Sequence, residues 1–154
     1  MDRESYLSEL AEAYQGEVRG EAGFAYLAAR AEAAGEAQAW RTLARLEAET
    51  RARLEPLLRR HGLDTAPDPA QQAYGRECGE RRRRLGWAGA MRAMAETLPD
   101  FVRRYAALEA AGPPEDKPGL AFLSAHEVAL EEVCRAVLAG DADPLAPVRR
   151  LLGD

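Results

Sequence analysis

From Gly20 to Leu58 the chain keeps a helical period so regular that it reads as a helical hairpin, yet its inward rows carry carboxylates. Leu7, Leu10, Tyr14, Glu17, Glu21, Phe24 and Ala28 follow one another at alternating steps of three and four, which holds them on one helix face. The row predicts that Glu21 points inward. Trp40, Leu43, Glu47, Thr50, Leu54, Leu57 and His61 repeat the pattern, so Glu47 and Thr50 are expected to face the core one turn apart. A buried carboxylate costs several kcal/mol unless a cation, a proton or hydrogen bonds satisfy it. Inward glutamates on neighbouring helices therefore call for one shared explanation.

The remaining elements follow from local chemistry. The first helix is expected over Ser5 to Ala34, with Gly35 capping it in the left-handed conformation. Gly16, Gly20 and Gly23 each cost about 1 kcal/mol in a helix interior, so they mark either a kink or the close approach of a helix, subunit or ligand. A second helix spans Glu36 to Arg60 and bends at Pro56, with His61 favouring its C-terminal dipole. From Pro69 to Leu85 the chain is helical and polar. The run Arg81 to Arg84 points four ways and reads as a solvated face paired with Glu77 and Glu80, against phosphate or acidic-ligand binding. Gly86 and Gly89 loosen the helix before the row Trp87, Met91, Met94, Leu98, Phe101, Tyr105 and Leu108, which carries no carboxylate and reads as core. Pro99 either kinks this helix or starts a new one capped by Thr97. After the turn Gly112 to Lys117, Pro118 opens a helix running to Ala139, with the row Leu120, Leu123, Glu127, Leu130, Cys134 and Val137. Glu127 is thus a third inward carboxylate, and His126 stands about 100° round the helix from it. A short tail helix capped by Asp143, with Pro144 first, closes the chain.

With 154 residues, abundant Ala, Leu, Glu and Arg, and few β-branched residues, one all-α domain is expected. A net charge of -5 opposes the phosphate attraction that nucleic-acid binding needs. No apolar run is long enough to span a membrane and no secretory leader is evident, so a soluble cytoplasmic protein is expected. Cys78 and Cys134 form no metal or disulfide motif and read as reduced thiols.

Four long helices with a hairpin at each end read as an antiparallel bundle. The segment GEAGFAYLAARAEAAG, a Gly-Glu followed by small and aromatic residues, and the segment EAETRARL together resemble the ferritin-like superfamily, in particular rubrerythrin-type domains. The likeness covers roughly residues 17 to 60, and the second half follows in outline through AHEVALEE. It implies an antiparallel four-helix bundle in which two metals are held by one Glu from each of two helices and a Glu-x-x-His from each of the others. Glu21, Glu47 and Glu127 match family ligand positions. Thr50 and Leu130 stand where the two histidines belong, and the third helix offers no inward carboxylate.

Three readings are open at this stage. A modified site of Glu21, Glu47 and Glu127, with Glu17 or His126, would hold iron, manganese or zinc as a single ion or a weak pair. A metal-free protein of the same fold would act as a binding or structural module, its carboxylates satisfied by tyrosines, arginines or each other in a dimer. A metal-free pocket would use a raised-pKa Glu helped by His126 for acid-base chemistry on an apolar small molecule. Glycines on the first helix, with Tyr26 and Trp40 as exposed aromatics, predict a helix-mediated homodimer.

Overall fold

The computed structural model describes residues 1 to 154 and contains six α-helices and no strand. These are α1 (Arg3–Arg30), α2 (Ala34–Arg60), α3 (Pro69–Arg84), α4 (Gly86–Ala111), α5 (Lys117–Leu138) and α6 (Ala146–Leu152). Asp2 caps α1 by accepting from the Ser5 amide at 2.8 Å. The α1/α2 reversal is tighter than expected: Ala31 and Ala33 take extended backbone, so no left-handed residue is required and Gly35 lies within the first turn of α2.

The glycines of α1 serve close packing, and α1 runs unbroken through them. A Cβ on Gly23 would lie 3.0 Å from the Gly75 carbonyl oxygen of α3, and one on Gly79 would lie 2.8 Å from the Gly23 carbonyl oxygen. The two backbones touch where side chains are missing. The third expected helix is split instead. Gly86 adopts φ +72°, a left-handed conformation that interrupts the hydrogen-bond ladder and separates α3 from α4. Pro99 lies inside a continuous α4, and Thr97 donates to the Met94 carbonyl at 3.1 Å within that helix, so no new helix starts there. Asp143 pairs with Arg149 at 2.5 Å, and α6 begins at Ala146 with Pro147 in its first turn, later than expected.

The core is divided into two apolar halves. One holds Phe24, Leu27, Trp40, Leu43, Met91, Met94 and Leu130, and the other holds Leu10, Tyr14, Leu54, Leu57, Leu108 and Leu120. Trp40 is buried, stacking on Phe24 at 5.8 Å and meeting Trp87 edge-on at 5.0 Å, so it is core and no interface aromatic. Tyr26, half-buried, donates to Glu80 at 2.8 Å.

A polar latch closes one end. Asp116, buried in the α4/α5 turn, accepts from Tyr6 Oη at 2.7 Å, meets His61 Nε2 at 2.6 Å and pairs with Arg60. His61 therefore serves as a tertiary partner for Asp116 as well as ending α2. Burial raises the Asp116 carboxyl, but Tyr6, His61 and Arg60 outweigh it and hold it below its ordinary value of 3.8. A depressed carboxyl contributes stability above its unfolded pKa and loses it as pH falls through the folded one. Asp116→Ala should cost about 3 kcal/mol at neutral pH, measured by urea denaturation, with the penalty shrinking in strong acid as the wild type loses the same pairing.

Candidate metal centre

Between the two apolar halves lies a layer of buried polar side chains: Glu17 from α1, Glu47 and Thr50 from α2, and His126 and Glu127 from α5. The local sequence makes room for it. Gly20 lies beside the Glu47 carboxyl group, and a Cβ there would overlap Glu47 Oε2 and lie 2.8 Å from its Cδ. A side chain at this position would displace the carboxylate of the neighbouring helix from its present place.

His126 is the centre of the layer and is fully buried. Its Nδ1 lies 2.5 Å from the Leu123 carbonyl oxygen, so Nδ1 carries a proton and donates, and Nε2 is the ring atom turned toward the carboxylates. That Nε2 faces Glu17 Oε2 at 3.1 Å, Glu127 Oε1 at 3.7 Å and Glu47 Oε1 at 3.8 Å. Tyr105 of α4 stacks on the imidazole at 6.2 Å. Three polar atoms of the layer are buried without a well-formed hydrogen bond: His126 Nε2 and Glu17 Oε2, which meet at 3.1 Å as an ion-pair contact, and Glu127 Oε2. Buried polar atoms this poorly satisfied are rare because each forfeits its hydration. One ligand atom each from Glu17, Glu47 and His126 all lie within 4.8 Å of one another.

Burial governs the electrostatics. It pushes the Glu17 and Glu127 carboxyls up to about 8, and raises Glu47 well above its ordinary value, the Glu17 charge adding to the effect. Burial likewise raises the Tyr105 phenol, helped by the charges of Glu17, Glu127 and Glu47. Carboxyls raised this far keep protons at neutral pH, which lowers the cost of burying the layer. A cavity of about 100 Å³ reaches the layer from between α1, α3 and α4, lined by Glu17, Glu47 and Glu127, by Tyr105 and Phe24, and by Arg82.

Glu47, Glu127, Glu17 and His126 come together, while Glu21 does not. Its side chain is 35% exposed and pairs with Arg51 Nε at 3.0 Å. The buried stripe of α1 drifts from Leu10, Tyr14 and Glu17 toward Gly23, Phe24 and Leu27 because α3 packs against the glycine face, and Glu21 is left on the rim. Thr50 donates to the Leu46 carbonyl at 2.8 Å and Leu130 packs in the core, so neither substitutes for a histidine. Arg82, expected on a solvated face, turns inward instead, and burial pulls its guanidinium below its ordinary value. Two signals in the sequence pointed to the observed set: Gly20 opposite Glu47, and a histidine beside Glu127.

The raised carboxyls give a linkage of definite sign. Between the ordinary value of 4.5 and about 8, folded Glu17 and Glu127 hold protons that the unfolded chain has released. Their contribution is therefore complete below the unfolded pKa and is lost as pH rises toward the folded one. Metal-free protein should lose stability from about pH 4.5 to about pH 8, and Glu17→Gln should flatten that slope and raise the melting temperature at its alkaline end. A wild-type stability flat across this range would contradict the assignment.

Comparison with protein-family models, curated proteins and solved structures finds no match for this chain.

Proposed function

We propose that this protein binds one divalent metal ion in its core through Glu17, Glu47 and His126, with Glu127 as a further donor. The observation that carries the reading is the fully buried His126 Nε2, which faces three carboxylates and makes no well-formed hydrogen bond. An acidic cluster alone is common; a fixed, desolvated imidazole nitrogen aimed into it is not. Ligands about 2.1 Å from one ion lie about 3.0 to 3.4 Å apart at octahedral to tetrahedral angles. The Nε2–Glu17 separation of 3.1 Å falls in that range, while Glu127 and Glu47, at 3.7 and 3.8 Å from Nε2, must close in by a few tenths of an ångström on an ion. Three carboxylates and one imidazole form a hard to borderline donor set suited to iron, manganese or zinc.

When bound, such an ion supplies charge neutralisation and Lewis acidity. The chain's own residues do the rest. The Leu123 carbonyl fixes the His126 tautomer, Gly20 gives the Glu47 carboxylate its space, and the flanking apolar halves exclude bulk water. The tyrosine hydroxyl and the carboxyls at the cavity are positioned to hold protons there.

The ferritin-like, antiparallel four-helix reading belongs to this proposal. The order of the apolar halves along the chain supports it: α1 and α5 traverse them in one direction and α2 and α4 in the other, so each hairpin runs up and down. The ligand set is an altered one, with His126 adjacent to Glu127 in place of the missing i+3 histidine. Two free thiols, Cys134 buried and Cys78 half-buried, suit a reducing cytoplasmic compartment. A homodimer is favoured by the outward groove of α5 and α6 that exposes Val128 beside Ala121, Ala125 and Leu151, and sedimentation should give twice the 16.8 kDa chain mass. A metal-free acid-base role on a small apolar molecule is the second reading, supported by two carboxyls raised to about 8 at a cavity with apolar walls.

Metal titration of untagged protein decides between them. The wild type should take up one Fe(II), Mn(II) or Zn(II) per chain, more tightly as pH rises toward about 8 because binding must displace protons from Glu17 and Glu127. Glu17→Gln and His126→Ala should weaken binding by about tenfold or more, while Glu21→Gln leaves it unchanged. Absence of uptake of all three ions would remove the metal reading and leave the acid-base one.

A further inference from the structure

The four arginines that end α3 have different fates. Arg83 and Arg84 pair with Glu80 at 2.7 and 3.1 Å, and Arg81 donates to Cys78 Sγ at 3.1 Å. Arg82 makes neither an ion pair within 4 Å nor a hydrogen bond. Its half-buried side chain lines the cavity that reaches Glu17, Glu47 and Glu127, with the guanidinium carbon 5.9 Å from the centre of the Phe24 ring. Arg19, also at this cavity, is held by Gln71 at 2.7 Å and lies over Tyr74 at 5.8 Å. A partly desolvated cation without a direct partner is costly unless opposite charge lies close by, and Glu47 and Glu127 are the core carboxylates whose charges interact with Arg82. A guanidinium also keeps its proton at any pH the protein meets.

We propose that Arg82 is a built-in counter-charge for the core carboxylates, so that the layer reaches neutrality with a single divalent ion and disfavours a second. The inference rests on the metal reading above and adds stoichiometry and affinity to it. Glu17, Glu47 and Glu127 carry three negative charges when ionised; one guanidinium and one divalent ion cancel them. A second ion would leave the buried layer with two uncompensated positive charges, which a low-dielectric interior strongly opposes. The placement follows from the fold: the contact of Gly75 and Gly79 with α1 brings α3 near enough for an arginine one turn further on to reach the cavity.

The test combines stability and metal binding. Arg82→Met keeps the stem against Phe24 and removes the charge, while Arg82→Lys keeps the charge. In metal-free protein at mildly alkaline pH, Arg82→Met should lower the urea midpoint in the wild-type background and have little effect in Glu47→Gln. A variant that folds only with Glu47→Gln shows the same coupling in its extreme form. Arg82→Met should bind Mn(II) or Zn(II) more tightly by roughly tenfold or more, as loss of one nearby positive charge requires at an effective dielectric of about 20. Arg82→Lys should match the wild type in both measurements, with one ion per chain. Equal midpoint changes in the two backgrounds, unchanged or weaker metal affinity in folded Arg82→Met, or two ions in the wild type would overturn the proposal. Coupling without metal uptake would leave the charge pairing standing while the one-ion consequence and the metal reading fall together. One bound ion without coupling would leave the metal reading standing and remove the role of Arg82.

Discussion

Desolvation of three carboxyl groups at mid-height in the core is the constraint on which the rest of this structure depends. Each such group costs several kcal/mol if left ionised and unpaired, which is comparable to the total stability of a domain this size. The two apolar halves on either side contribute the opposing term, each fully buried leucine or aromatic adding about 1.5 to 3 kcal/mol. Burial raises the Glu17 and Glu127 carboxyls to about 8, so at neutral pH they keep their protons. His126 is locked by the Leu123 carbonyl and Glu47 occupies the space left by Gly20, so the layer is held in place from two sides.

The glycine contact between α1 and α3 connects the fold to the site. Gly23 against Gly75 and Gly79 lets two backbones touch, turning the far part of α1 so that Phe24 and Leu27 face the core and Glu21 reaches Arg51 at the rim. The same contact brings Arg82 to the cavity. At the opposite end, Asp116 fastens the start of α1 and the end of α2 to the α4/α5 turn through Tyr6, His61 and Arg60. The two fastenings lie on either side of the polar layer along α1 and limit how far the helices that carry it can slide.

The helices and much of their inward faces were legible in the chain itself. Periodicity placed Glu17, Glu47 and Glu127 on apolar rows, and the scarcity of β-branched residues made an all-α fold the natural outcome. These are local properties: a row at steps of three and four faces one way whatever it packs against. Three further matters were decided only by tertiary structure. Glu21 shares its row with Glu17, and the choice between them depended on how α3 turns α1, which a single-helix pattern does not contain. His126 lies about 100° from Glu127, and its central place arose from the Leu123 hydrogen bond and the arrival of Glu17 from a residue more than a hundred positions away. Arg82 sits among arginines that are chemically identical in sequence, and only the geometry at the end of α3 distinguishes the one that faces buried carboxylates from the three that face Glu80 and Cys78. Local sequence determines which residues share a face; which of them meet depends on the distance and rotation between helices, and those are set by packing.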